Sequence, residues 1–172
     1  MKLPFMLKFP SGEETYFIEK LWATSMKYCY SNEIEYMEYY RKQKEYFGKN
    51  EIIEGSNIPK LHTIRNQSDR FKVGQFVQPF VWTFKPYKRN PNPSIPAQFD
   101  FMPPIKIVSK QRFDLDKFHG CLWPFIDENE LPLNEVSNLA QNDGFNNDEH
   151  FFQYFNKPVE NMEIRHFTDL KY

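Results

Sequence analysis

Between Pro86 and Pro104 the chain carries six of its 13 prolines. Proline lacks an amide hydrogen and holds φ near one value, so neither a helix nor a central strand runs through such a stretch. It reads as one long, stiff loop, and the fold has to be assembled from what flanks it. On the amino-terminal side the pattern is helical. Ser11-Gly12-Glu13-Glu14 has the form of a capping box, and Phe17, Ile18, Leu21, Trp22 and Cys29 follow at helical spacing, which predicts a helix over 15–28. A second helix is predicted over 33–47, with Asn32 as cap, Glu38/Lys42 and Arg41/Glu45 pairs four apart and Gly48 as stop. Its apolar positions are few, and Tyr36, Tyr39, Tyr40 and Tyr46 surround them, so it either packs on the outside of the domain or offers a face to a protein partner.

Beyond these helices the pattern turns to β. Residues 76–84 and 105–113 have the β-branched and aromatic content of strands, and 162–170 alternates apolar with polar. Between the last two, Asn134 caps a short helical segment with Val136, Leu139 and Ala140, and Asn147 opens another with Phe151, Phe152 and Phe155. The order predicts a single α+β domain over 1–172, built around a small, largely antiparallel sheet or barrel.

Composition excludes several classes. Phe, Tyr and Trp make up 18% of the 172 residues, with 18 Phe against 6 Gly, which is incompatible with a disordered chain. Phe17, Trp22, Phe76, Phe80, Phe113, Phe151, Phe152 and Phe155 fall at core periods. The longest near-continuous apolar stretch, 76–84, contains Gln78 and Pro79, so no membrane-spanning segment is expected. The first residues lack the pattern of a secretory signal, and the expected location is cytoplasmic. Cys29 and Cys121 fit no C-x-x-C pattern and are expected as free, buried thiols. The histidines are scattered, His119-Gly120-Cys121 has no second cluster to complete a metal site, and no cofactor is expected.

The net charge is −1, yet it is unevenly spread. From Lys60 to Arg89 there are seven basic residues and one acid, whereas from Phe113 to Glu163 there are eleven acids and two lysines. The basic part is where a phosphate would bind; the alternative is two solvated faces of opposite sign.

The most informative run is Pro59-Lys60-Leu61-His62-Thr63-Ile64-Arg65, followed by Arg70-Phe71-Lys72-Val73-Gly74-Gln75. It resembles the ASCH family of PUA-like β-barrel domains, whose signatures are a Lys-x-x-Thr-Ile-Arg run and a Lys-x-Gly-Asp-like turn entering a barrel strand. Trp82-x-x-Lys85-Pro86-Tyr87, Asp143-Gly144-Phe145 and His166-Phe167-Thr168-Asp169-Leu170-Lys171-Tyr172 also resemble pieces of bacterial and phage members, in the same order. The resemblance runs from Tyr16 onward, with 24–57 as a helical insertion. Gln75 stands where the family often has Asp.

The resemblance implies a PUA-like small β-barrel with flanking helices, bound to RNA or to a modified nucleoside in a basic cleft. Arg65, Arg70, Lys72, Lys85, Lys88 and Arg89 would contact the ligand, with Trp82, Tyr87 or Phe71 as a stacking plane. It also implies an alternative: some small members are amidohydrolases that remove an acyl group from N(4)-acetylcytidine. Lys60 and Thr63 match two of their catalytic residues, and Asp143 takes the place of a longer Glu. In that chemistry the lysine activates the Thr hydroxyl and the carboxylate orients the site. In an extended segment, however, Thr63 and Arg65 share one face and Lys60 the other, and Asp143-Gly144 equally reads as a turn between helices. A third reading is a phage accessory protein acting through a protein partner on the 32–47 helix.

Overall fold

A computed structural model describes residues 1–28, 31–48 and 58–172. In chain order the elements are β1 (Lys2–Phe5), α1 (Phe17–Lys27), α2 (Glu33–Phe47), β2 (His62–Asn66), β3 (Phe76–Trp82), β4 (Gln98–Asp100) and β5 (Ile105–Lys106). There follow β6 (Ser109–Phe118), β7 (Cys121–Ile126), β8 (Asn129–Glu130), α3 (Leu133–Asn142), α4 (Asp148–Tyr154) and β9 (Val159–His166). This is an α+β chain. It divides into two compact units, one of residues 1–59 and 76–105 and the other of 60–75 and 106–172. None of the helices is long and apolar enough to cross a membrane, among the described residues.

In the first unit β1 runs parallel to β3, and β4 pairs antiparallel on the other side of β3. The Pro86–Pro104 stretch is thus not all loop, because its residues 98–100 lie between prolines and are free to donate to β3. Buried aromatic rings fill the space between sheet and helix. Phe5 lies edge-on to Phe17 and to Phe101, and the indole of Trp22 donates to the Phe101 carbonyl at 2.9 Å. Phe76, expected in the core, is 59% exposed at the start of β3, since the strand buries the alternate residue Val77.

The Ser11–Glu14 pattern does not cap α1. Ser11 and Gly12 instead turn the chain back on itself, with the Phe9 amide donating to the Glu13 carbonyl and Lys8 bridging Glu14. The helix begins two residues later, behind Tyr16, which has a φ of 53° and no side-chain cap bond. By contrast α2 follows its cap and stop residues to the letter. Asn32 and Glu35 form a reciprocal capping box and Gly48 ends the helix at a φ of 66°. Its tyrosines pack inward: Tyr36 and Tyr39 lie 5.2 and 5.7 Å from Trp22, and Tyr46 lies 5.2 Å from Phe99. The later part of the 24–57 insertion, and Cys29, lie outside the described residues.

The second unit is an antiparallel sheet in the order β2-β9-β6-β7-β8. Its end strands do not pair with each other, so this order is an open sheet rather than a closed barrel. The run 105–113 is two strands: Ile107 and Val108 leave the ladder, and β6 continues well past Phe113. The β6–β7 and β7–β8 hairpins close through His119-Gly120 and Asp127-Glu128, all four at positive φ, the backbone of a type I′ turn. His119-Gly120 is therefore a turn, and Cys121 beside it is exposed rather than buried. Phe113, Phe145, Phe151 and Phe155 form one cluster with ring centroids 4.9–6.3 Å apart, which seats α4 on the sheet. Phe152, expected with them, is only half-buried.

Candidate functional site

The signature residues meet at the carboxyl end of α3. Asp143 is the C-cap of that helix, and Gly144 follows at a φ of 91°. The amide of Phe145 donates to Ala140 O at 3.0 Å and that of Gly144 to Gln141 O at 2.9 Å, the paired bonds of a Schellman motif. Only glycine adopts this backbone without strain. The turn reading and the site reading of Asp143-Gly144 are thus the same structure, because the turn is what aims the carboxylate.

A carboxylate at a helix carboxyl end faces unfavourable dipole charge. Lys60 offsets it. Its ammonium donates to Asp143 Oδ1 at 2.9 Å and also contacts the Asp143 main-chain carbonyl, closing the helix end with a cation. The same Oδ1 accepts the Ile64 amide at 3.0 Å. Two backbone bonds, Leu61 N to Asn142 O and Phe167 N to Leu61 O, tie the segment before β2 to α3 and to the end of β9. Lys60 is fully buried and Asp143 is 5% exposed. Burial pushes the Asp143 carboxyl above its ordinary value, while Lys60, Arg65 and the Ile64 amide pull it back. Gly144→Ala is expected to cost about 1–2 kcal/mol through the left-handed backbone and to loosen the Lys60 contact, which a lowered melting temperature together with faster amide exchange at Ile64 would reveal.

Thr63 is buried on β2 opposite Arg165 of β9, and Arg65 lies opposite Glu163. Thr63 and Arg65 share a face by the strand period, as expected, whereas Lys60 precedes the strand and is free of that alternation. Arg65 is electrostatically coupled to Asp143, to Tyr154 on α4 and to Arg165. Arg165 donates to Glu163 at 2.7 Å and to the Asn66 carbonyl at 3.0 Å, and its guanidinium lies 3.9 Å from the centre of the Phe71 ring. Lys110 contacts Glu163 and donates to Phe71 O at 3.0 Å. In these contacts the four cations Lys60, Arg65, Lys110 and Arg165 outnumber the carboxylates of Asp143 and Glu163, a local surplus of positive charge suited to a phosphate or an electron-rich carbonyl. Tyr154, Glu163, Arg165 and Lys110 were not legible as site residues. The only signal was the polar half of the alternation in 162–170, which reads equally well as a solvated face.

Gln75 closes the following turn, its side chain accepting the Lys72 amide at 3.0 Å, next to Gly74 at a φ of 84°. Arg70 and Lys72 are exposed on that turn. Phe71, expected as a base-stacking plane, has one face covered by Arg165. Trp82, Lys85, Tyr87, Lys88 and Arg89 belong to the first unit, so the basic segment of the sequence is divided between the two units after Gln75.

Compared with family models, curated proteins and solved structures, the chain finds no match.

Behind the signature strand lies a second polar group. His62 and His166 are paired across β2 and β9, both fully buried, with ring centroids 5.4 Å apart; the Tyr172 ring lies 5.5 Å from His62. None of the four imidazole nitrogens has a hydrogen-bond partner among the described residues. Burial holds both rings neutral, lowering His166 to about 4 and His62 well below its ordinary value. Tyr172 is held by Gln111, which bonds both its main-chain groups, and its hydroxyl accepts from Asn142 at 2.9 Å. No group of three or more His, Cys, Asp or Glu side chains is placed to hold a metal ion, among the described residues.

Proposed function

We propose that the chain is an ASCH-type, PUA-like domain that binds a modified nucleoside or nucleotide at the centre formed by Lys60, Thr63, Arg65 and Asp143. The observation that carries this reading is the meeting of Lys60 with Asp143, 83 residues apart, beside the strand that bears Thr63 and Arg65. The excess of cations over carboxylates among Lys60, Arg65, Lys110, Arg165, Asp143 and Glu163 favours a ligand with phosphate or carbonyl oxygens. The antiparallel sheet with α3 and α4 against it supports the PUA-like reading, although its strand order leaves the sheet open.

Amide hydrolysis is the second reading, and the same ion pair favours it. The Thr63 hydroxyl would add to the acyl carbon of an acylated exocyclic amine, the C–N bond would break as the leaving nitrogen takes a proton, and water would then hydrolyse the acyl–threonine ester, releasing the acid and restoring the hydroxyl. Thr63 would supply the nucleophile, Lys60 the proton transfer, and Asp143 the orientation of Lys60. The site has Asp where the amidohydrolases have Glu, and Lys60 already reaches it, so the shorter side chain is compensated by the lysine's length.

Titration of the protein with N(4)-acetylcytidine and with cytidine, followed by heat and by acetate release, tests both readings. Binding of the acylated nucleoside is expected. Thr63→Val, close in shape, is expected to keep the fold and lose acetate release by about 100-fold or more. A wild-type protein that binds neither nucleoside at millimolar concentration would sink the reading.

A further inference from the structure

Lys85, Lys88 and Arg89 belong to the first unit, and they surround an unusual turn. The Lys88 amide donates to the Lys85 carbonyl at 3.1 Å, Pro86 stands at the second position and Tyr87 at the third with a φ of 61°. That is the pattern of a type II turn, whose third position ordinarily belongs to Gly or Asn because other side chains are strained there. The tyrosine is also 89% exposed. A strained backbone that holds a large ring in water has no explanation in core packing.

The surroundings define what such a ring would meet. Trp82 lies 5.0 Å from the Tyr87 ring and is itself edge-on to Phe80 at 5.6 Å, so the exposed ring is propped from within the unit. The loop behind it is well braced. Thr83 bonds Pro96 O and Ala97 O, Asn90 donates back to Thr83, and Asn90 and Asn92 each accept an amide two residues on. Lys85, Lys88 and Arg89 are all exposed, and from Thr83 through Ala97 there is no acidic residue. The lysines at the first and fourth turn positions flank the ring.

We propose that this turn is a binding site for single-stranded nucleic acid, in which Tyr87 stacks on a base and Lys85, Lys88 and Arg89 contact neighbouring phosphates. Stacking needs a rigid exposed ring face, and phosphate contact needs cations without competing carboxylates; the loop supplies both. The charge pattern complements a polyanion, and stacking on an aromatic face suits unpaired bases. The site lies in a different unit from the nucleoside centre and does not depend on that reading.

Fluorescence anisotropy of the full chain with labelled oligouridylate and oligothymidylate of about ten nucleotides tests the proposal. Binding at low salt that weakens as salt rises is expected. Tyr87→Gly removes the ring and relieves the backbone, so any loss of binding is not a loss of fold; about 10-fold or more is expected, while Tyr87→Phe stays within about 3-fold. Replacing Lys85, Lys88 and Arg89 with Gln should reduce the salt slope by about 2. Equal affinity for the two strands assigns the site to backbone and stacking, and tighter binding of the ribo-oligomer assigns it to RNA. Absence of binding to either strand at low salt overturns the proposal, as does a Tyr87→Gly protein that binds like wild type. Polyglutamate that binds as tightly as the oligonucleotides, independently of Tyr87, also overturns it and gives the surface to an acidic protein. Acetylcytidine titration of Tyr87→Gly should be unchanged, so that the two readings fail separately.

Discussion

Between about pH 7 and about pH 5 the second unit is expected to lose about 2 kcal/mol of stability through His166 alone, with His62 adding in the same direction. The folded protein holds His166 at about 4, below the ordinary 6.5 of an exposed imidazole. Over that window the unfolded chain therefore binds the extra proton and the folded one does not. Stability is complete above 6.5 and falls as the pH drops toward 4. The groups facing the pair set the sign. Burial acts first; Lys60 and the partner imidazole oppose a charge on His62, and Lys171 opposes one on His166, with only Asp127 favouring it. Tyr172, the remaining neighbour, is itself held neutral by burial. Urea denaturation across this range is the measurement. His166→Gln should make the profile shallower, leaving the share of His62, and a wild-type profile that is already flat would show that the imidazoles are solvated in the folded state. Release of the pair would free Tyr172, and with it Asn142 beside Asp143, so acid should also loosen the end of α3.

Lys60→Met is expected to cost about 3–5 kcal/mol, because it leaves the Asp143 carboxylate buried without its cation. The pair is exposed by only 1% and 7% at its two side chains, so water cannot replace the missing partner. Asp143→Leu should also be destabilising, because it removes the carboxylate that faces the buried ammonium. The double variant Lys60→Met/Asp143→Leu is expected to cost less than the two single changes together, since a buried apolar pair has no charge to desolvate. Chemical denaturation of the four proteins of this cycle reads the coupling directly. Additive losses would mean that the ion pair contributes nothing and that each side chain acts through packing alone. Activity measured on Lys60→Met would mix loss of fold with loss of chemistry, which makes Thr63→Val the cleaner probe of hydrolysis.

Where local chemistry decided the outcome, the sequence was legible. Asn32 and Gly48 bound α2 as expected because a side-chain cap and a left-handed stop act within one turn of helix. Asn147 likewise caps α4, its side chain accepting the His150 amide at 2.8 Å. The Ser11–Glu14 motif shows the limit of such signals: its residues satisfy a small turn instead, and nothing local chooses between the two. The hairpins at His119-Gly120 and Asp127-Glu128 were missed because neither carries the Asn-Gly or Asp-Gly pair that usually marks positive φ at both turn positions. Phe76 was misplaced because register, not hydrophobicity, decides which face of a strand is buried.

By itself the chain determined that it would be α+β, that its aromatic residues would form the cores, and that Lys60, Thr63 and Arg65 would share one short segment. Each of these follows from composition or from spacing along the backbone. Tertiary structure alone decided that Lys60 reaches Asp143, since that contact depends on α3 ending in a Schellman turn against the segment before β2. It also decided that two scattered histidines become one buried pair, because β2 and β9 align them across a ladder, and that the Pro86–Pro104 stretch supplies a strand. The same division reshaped the basic segment. Contiguous in sequence, it splits after Gln75, with buried Lys60 and exposed Arg70 and Lys72 in one unit and the exposed Lys85–Arg89 turn in the other, because charge along a chain does not say which unit each residue folds into.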